Sequence, residues 1–246
     1  MELPIPASDL IVLMATAFTA AVVRGFAGFG AALIYLPGAG QILSPFEAIT
    51  THAIIDFIGP LLIARKAFRD CAPPDLIRLL IGLAIMLPVG LFILTLTAPE
   101  IFRYAVSVVA LVLLCFLVLG FRYRGQVTPA LLFGTGGLSG FLQGIAGLAG
   151  PPVIFFYMAS PLSPRVIRAN ILLYLMLANV AAFCTLAAFG RLEASAILLG
   201  FLLVIPTIAG GQIGAKLFNP AYERTYRSVA YVIILFSAIN GLPLFD

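Results

Sequence analysis

The chain has 246 residues, of which 62% are hydrophobic and only 10% charged, with a formal net charge of +4. A soluble globule needs polar cover over most of its surface and about a quarter of its residues charged, so a soluble enzyme and a secreted disulfide scaffold are excluded. Stretches without Asp, Glu, Lys or Arg at 25–46, 79–99, 104–121, 125–164, 169–190, 194–215 and 228–245 mostly reach the roughly 17–25 residues of a bilayer-crossing helix. The chain reads as an all-α polytopic membrane protein, one transmembrane bundle over 1–246.

In chain order, eight apolar segments are expected, at about 8–36, 46–64, 76–96, 103–120, 128–158, 166–188, 194–214 and 226–242. The first has about 15 regular residues, then Arg24 and a Gly25-x-x-Gly28-x-Gly30 break, then a short apolar piece. Arg24 reads either as an arginine whose stem carries its charge to the interface or as a cation that binds an anion beside exposed amides. Segment two starts at Pro45 and carries His52 and Asp56, four apart on one helical face. They form either a polar pair that locks two helices or a proton-sensitive pair, because imidazole titrates near neutral pH and a carboxylate raises its pKa. At 1.5 Å per residue, Asp56 lies about 16 Å into its helix, near the middle of a hydrocarbon layer about 30 Å thick.

Segment five is rich in helix breakers: Gly134, Gly136, Gly137, Gly140, Gly144, Gly147, Gly150 and the pair Pro151-Pro152. Proline lacks the helical donor and glycine pays backbone entropy, so one helix through 134–152 is not expected. Irregular backbone is tolerated at membrane depth only where it faces protein or a wet cavity. Two half-helices meeting at a break are therefore expected in segments one and five. Half-helix N-termini present unpaired donors and positive dipole ends, which suit an anion. Candidate substrate-binding residues are thus Arg24, Gly25, Gly28, Gly30, Gln143, Gly144, Gly147, Gly150 and Pro151. The alternative for any single glycine is close helix packing. In segment six, Asn170 and Asn179 read first as helix caps or cross-links, with Asn170 carried as a further substrate contact.

Eight segments divide into two sets of four, and a repeat accompanies them. Residues 24–34 (RGFAGFGAALI) align with 143–153 (QGIAGLAGPPV) at an offset of 119, which also sets Pro45 against Pro164. An offset of 118 then sets Gly82 against Gly200 and Pro88 against Pro206. The expected internal repeats are 1–123 and 124–246. If segments one and five are re-entrant, eleven Lys/Arg fall on one face: Arg65, Lys66, Arg69, Arg78, Arg122, Arg124, Arg165, Arg168, Lys216, Arg224 and Arg227. Only Arg103 and Arg191 fall on the other, a positive-inside pattern. Three crossings per half would make the two repeats inverted, with both termini on the non-cytoplasmic side. If all eight segments cross once, the count is seven against six and carries no bias.

The run Gly140-Phe141-Leu142-Gln143-Gly144-Ile145-Ala146-Gly147-Leu148-Ala149-Gly150-Pro151-Pro152 resembles the second-repeat signature of the TauE/SafE sulfite-exporter family of membrane proteins. Arg24-Gly25-Phe26-Ala27-Gly28-Phe29-Gly30 is similar to its first-repeat counterpart. Size, segment order and duplication carry the resemblance over nearly the whole chain, while the motifs cover about thirty residues. Ala149 and the doubled proline depart from the more glycine-rich run usual there. The resemblance implies movement of sulfite, sulfoacetate or other small organic anions across the bacterial cytoplasmic membrane.

A secondary transporter for a small anion, with proton coupling through His52 and Asp56, is the reading that follows. Two repeats rocking about the paired breaks would move the substrate. The alternatives are an anion channel, or a membrane-embedded enzyme acting on a lipid phosphate, for which one His, one Asp and one Arg are a thin catalytic set. No GKS/GKT loop, HExxH or CxxC is present, so neither nucleotide, metal nor other cofactor is expected. Basic residues scattered at segment ends argue against nucleic acid. Cys71, Cys115 and Cys184 read as free thiols. The N-terminus lacks a basic n-region and a cleavage signal, and is expected to be retained. The partners expected are the anion and the lipid bilayer, and a homo-oligomer stays open.

Overall fold

A computed structural model describes residues 5–119, 128–158, 162–219 and 222–242. Glu2, Asp246, the loop 121–127 with Arg122 and Arg124, and residues 159–161 and 220–221 of two further basic loops lie outside the described residues. Among those described there are eleven α-helices and no strand. They are α1 (Ala7–Ala27), α2 (Ala31–Ala39), α3 (Pro45–Ile58), α4 (Leu61–Asp70), α5 (Pro73–Thr95) and α6 (Pro99–Val118). α7 (Pro129–Ala146), α8 (Gly150–Met158), α9 (Pro164–Ala188), α10 (Ala194–Leu217) and α11 (Glu223–Gly241) follow. Five of them, α1, α5, α6, α9 from Arg165, and α10, are long and apolar enough to cross a membrane.

Prolines open many of these helices, where their missing donor costs nothing: α5, α6, α7 and α9 all start on one. Thr128 and Ser163 add side-chain caps, accepting from the amides of Leu131 at 3.3 Å and Val166 at 3.4 Å. The expected segments three, four, six, seven and eight correspond to α5, α6, α9, α10 and α11. Segments one, two and five divide. Segment two stops at Ile58, and after Gly59-Pro60 the chain continues as α4, whose Ala64 and Ala67 are buried while Arg65, Phe68 and Arg69 are exposed.

Segments one and five are broken, but not into two half-helices. α1 has 21 residues and α7 has 18, lengths of about 31 and 27 Å at 1.5 Å per residue. The short pieces are α2 and α8, nine residues each. Gly25 lies inside α1, and Gly134, Gly136, Gly137, Gly140 and Gly144 lie inside α7. What keeps α7 helical through five glycines is packing, which stabilises far more than glycine's intrinsic penalty of about 1 kcal/mol each removes.

The chain forms two compact units, each assembled from both sequence halves: 1–55, 98–119 and 192–246 in the first, 56–97 and 120–191 in the second. In the first unit α1 runs along α10, and α2 sits among α1, α6 and α11. Phe18 and Val22 of α1 meet Gly210 and Gly214 of α10 backbone to backbone, and Gly25 of α1 meets Gly211 and Ala215. In the second unit α5 runs along α7, α8 touches α7 and α9, and α4 packs on α9. Gly136, Gly140 and Gly144, four apart on α7, face the backbone of Leu79, Leu83 and Leu87, four apart on α5. This is the small-residue packing that membrane helices use where lipid offers no hydrophobic drive. A bidentate pair from Arg165 to Asp70, 2.7 Å at both contacts, ties the end of α4 to the start of α9. Ile85, Ile205, Val232 and Phe236 are more than half exposed, as residues facing lipid are.

Adjacent glycines in α10 separate packing from propensity. A Cβ on Gly210 would stand 2.5 Å from the Phe18 carbonyl oxygen, whereas one on Gly211 meets nothing within 4 Å. Gly210→Ala is expected to destabilise the purified protein by about 1–3 kcal/mol through forced helix separation. Gly211→Ala is expected to be neutral or stabilising by up to about 1 kcal/mol. Thermal unfolding in detergent checks both signs.

Candidate functional site

Each unit holds one glycine break, and the two are built alike. α1 ends at Gly28, whose φ of 81° is left-handed and whose amide returns to the Arg24 carbonyl at 2.8 Å. α7 ends at Gly147, φ 70°, whose amide returns to the Gln143 carbonyl at 3.0 Å. Only glycine takes that conformation without strain. Three residues later each chain segment is in a short helix: α2 starts at Ala31, capped by Gly30 with φ 93°, and α8 starts at Gly150. Pro151 and Pro152 lie in the first turn of α8, where proline is tolerated.

The first unit's break carries Arg24, half-buried in the last turn of α1. A cation there is favoured by the carbonyl end of its own helix. Gly28 is open, with nothing within 4 Å of where a Cβ would stand, and Gly30 faces Ile234. Phe26 packs at 5.3 Å from Tyr226 and Phe29 at 6.3 Å from Tyr231, between ring centroids. The short helix α2 is anchored by polar bonds: Tyr35 donates to Thr51 at 2.8 Å, Ser237 donates to the Ile34 carbonyl at 2.7 Å, and Gln41 donates to the Asn240 carbonyl at 3.0 Å. His52 is buried with its ring stacked 6.0 Å from Tyr35.

The second unit's break is closed by side chains. Gln143, 1% exposed, accepts the Ala149 amide on Oε1 at 2.8 Å and donates from Nε2 to Asn179 Oδ1 at 3.3 Å. Asn179 in turn donates from Nδ2 to Asp56 Oδ2 at 3.0 Å. Ser139 donates to the Ala149 carbonyl and accepts from Tyr174 at 2.7 Å. Both backbone groups of Ala149 are thereby satisfied from α7. Asn170 is engaged elsewhere: it donates to the Tyr157 hydroxyl at 2.8 Å and accepts the Ala72 amide at 2.8 Å. It joins α8 and the start of α5 to α9.

The candidates named from sequence therefore fall into distinct groups. Gly28, Gly30, Gly147, Gly150 and Pro151 lie at the breaks, with Arg24 and Gln143 one turn before them. Gly25 and Gly144 lie within helix contacts, Gly25 against α10 and Gly144 between the Leu87 oxygen and the Leu91 amide, 2.5 Å from each at an added Cβ. His52 and Asp56 share α3, but Asp56 begins the second unit. Sequence reasoning treated Asn179 as a helix cross-link and passed over Ser139, Tyr174, Tyr35 and Tyr157. The signal that marks them is polarity inside long charge-free runs. Among the described residues, no three His, Cys, Asp or Glu side chains gather as a metal site.

The family model described as "Sulfite exporter TauE/SafE" matches residues 13–241, which takes in both breaks and all but the first six residues of α1. The chain belongs to the TauE/SafE sulfite exporter family. It is a multi-pass protein of the bacterial inner membrane, in a family of transporters. It is similar to the "Probable sulfite/organosulfonate exporter TauE" of Cupriavidus necator, at 26% identity over 103 residues. That match spans 42% of this chain and 40% of the relative's length. No solved structure matches.

Gly28 separates backbone from side-chain demands, because a substituent there meets no neighbour. Gly28→Val is expected to lose most transport in vesicles at matched membrane abundance, through a backbone cost of about 1–2 kcal/mol for a β-branched left-handed residue. Gly28→Asn is expected to retain more, since Asn tolerates that region. Equal activity of both variants with the parent would reduce Gly28 to a spacer.

Proposed function

We propose that the chain is a secondary transporter, not an enzyme, that moves a small anion such as sulfite, an organosulfonate or a carboxylate across the inner membrane. The observation that carries this reading is Arg24, a cation one turn before an open, left-handed glycine from which a short helix starts. The break supplies backbone donors and the arginine supplies charge, the two things an anion exchanges for its hydration shell. Family membership agrees, and the name of the Cupriavidus relative supplies the sulfite and organosulfonate classes.

Proton coupling rests on Asp56, with His52 one turn earlier on α3. An ionisable side chain among the helices of a membrane protein is by default a functional candidate, and proton relays are built from such carboxylates. The eleven-to-two distribution of basic residues supports loops 65–75, 121–127, 159–165 and 215–225 on the cytoplasmic side, and inverted repeats.

Reconstituted protein with a panel of sulfite, organosulfonates and small carboxylates, with and without a pH gradient, tests the function directly. Arg24→Gln is expected to weaken anion affinity by about 10–100-fold, the loss of one charge-assisted contact. An unchanged affinity would move the anion site away from the first break. Asp56→Asn is expected to keep anion counterflow but lose accumulation driven by the gradient. Retention of both in the same vesicles would return Asp56 to helix packing. For topology, single cysteines at 123 and 162 in a cysteine-free background are expected to label from the same side of the membrane.

A further inference from the structure

The second unit joins its helix break to Asp56 through two side-chain amides, and that connection has a direction. A backbone N–H can only donate, so the Ala149 amide fixes Gln143 with Oε1 towards it. Gln143 must then offer Nε2 onward, which fixes Asn179 with Oδ1 towards Gln143 and Nδ2 towards Asp56. Every link is set by the one before it. The last link requires an acceptor oxygen on Asp56. Gln143, Asn179 and Ala149 are each at most 4% exposed, so water does not compete for the bonds among them, and Asp56 at the end of the chain is half-buried.

We propose that Gln143 and Asn179 are positioning residues that couple protonation of Asp56, at the oxygen facing Asn179, to the closed form of the α7–α8 break. This rests on the reading of Asp56 as the proton-coupling group. While Asp56 presents an acceptor, the chain of amides is complete and Ala149 is held against α7. A proton on the oxygen facing Asn179 places donor against donor, and the bonds from Asn179 back to Ala149 weaken together. The break thus senses whether an oxygen that it does not touch can accept a hydrogen bond. Gln143 accordingly acts as the break's internal ligand.

Among the described residues, the helices around Asp56 carry these ionisable groups. α7 carries no ionisable side chain, and α9 has Arg165 and Arg168 near its start, Tyr174 donating to Ser139, and Cys184. On α4, Arg65 and Arg69 are exposed and Asp70 is paired with Arg165. On α5, Asp75 pairs with Arg78 at 3.5 Å. On α8, Tyr157 is bonded to Asn170. His52 and Glu47 share α3 with Asp56.

Reversing the direction of the amides is the test. In Gln143→Glu one carboxylate oxygen still holds the Ala149 amide while the other faces Asn179 Oδ1. Asn179 must turn over, which leaves its oxygen against the Asp56 oxygen. Asp56→Asn supplies a donor for the turned amide and removes that conflict. Asp56→Asn alone keeps an acceptor and leaves the original direction intact. Four proteins, the parent, D56N, Q143E and the double variant, form a cycle that isolates the coupling. The cycle is read by thermal unfolding in detergent and by anion counterflow.

Q143E is expected to lower the Tm by roughly 5 °C and slow counterflow about tenfold, with D56N restoring at least half of each loss. In an Asn179→Leu background the restoration is expected to vanish, because the middle link is gone. A Q143E loss that is the same with and without D56N overturns the proposal, as does restoration that survives Asn179→Leu. The Tm cycle needs no substrate, so it judges the amide connection even if wild-type protein moves none of the panel anions. That second result would instead remove the transport reading on which the role of Asp56 rests.

Discussion

A helix that stops inside a bilayer leaves carbonyls at its end and amides at the start of the next helix, and hydrocarbon satisfies neither. Each such group costs several kcal/mol when it is left without a partner. The breaks at Gly28–Gly30 and Gly147–Ala149 meet this demand first with their own backbone: a left-handed glycine folds its amide back onto the carbonyl four residues earlier. At the second break, what remains is met by side chains on the same helix. Gln143 and Ser139, four apart on α7, take the amide and the carbonyl of Ala149. The need to answer a broken backbone thus accounts for polar residues in runs that otherwise contain almost none.

Holding such a break in place requires helices that do not drift, and glycine provides this by a second route. Where α5 meets α7 and where α1 meets α10, the helix backbones approach until a single methyl group would collide with a carbonyl. The short helices are then tethered sideways by tyrosines. Tyr35 of α2 bonds Thr51 of α3, and Tyr157 of α8 bonds Asn170 of α9. A nine-residue helix has little stability of its own, so these tethers and the flanking contacts fix where its N-terminus points. Glycine therefore serves two opposite ends here, permitting the break and tightening the packing beside it.

That double use marks the limit of what the sequence discloses. Five of the eight apolar segments were legible as helices within a few residues, because uninterrupted apolar runs bounded by proline or charge admit little else. The two breaks were legible as breaks, but their position was not. Gly134 to Gly144 looked as disruptive as Gly147, yet they lie inside α7. The spacing of four among Gly136, Gly140 and Gly144 is a packing pattern, and its partner, Leu79 to Leu87, lies more than fifty residues away. The same distance hid the role of Asn179, whose link to Asp56 joins positions 123 residues apart. The residue was noticed for its polarity, but no local pattern names the partner of a buried amide. The division of segment two at Gly59-Pro60 was legible in principle, since that dipeptide is a strong stop signal. The apolar residues that follow it outweighed the signal.

The proposal of an internal duplication gains its best support from positions where the two halves are alike in place and unlike in chemistry. At the offset of 119, Thr51 corresponds to Asn170, and each accepts or donates the bond that tethers a short helix through a tyrosine. The same offset sets Arg24 against Gln143, and each lends its carbonyl to the left-handed glycine that follows. Their side chains part company. An amide can accept a backbone N–H and so seal its own break, as Gln143 does. A guanidinium has no acceptor, so Arg24 cannot serve its break in that way. On the reading of Arg24 proposed above, the cation favours a negatively charged acceptor at this break. On the proposed duplication, one arrangement would serve two ends: a break closed by its own side chains and joined to Asp56, and, on that same reading of Arg24, a break whose cation suits it to an anion from outside the chain.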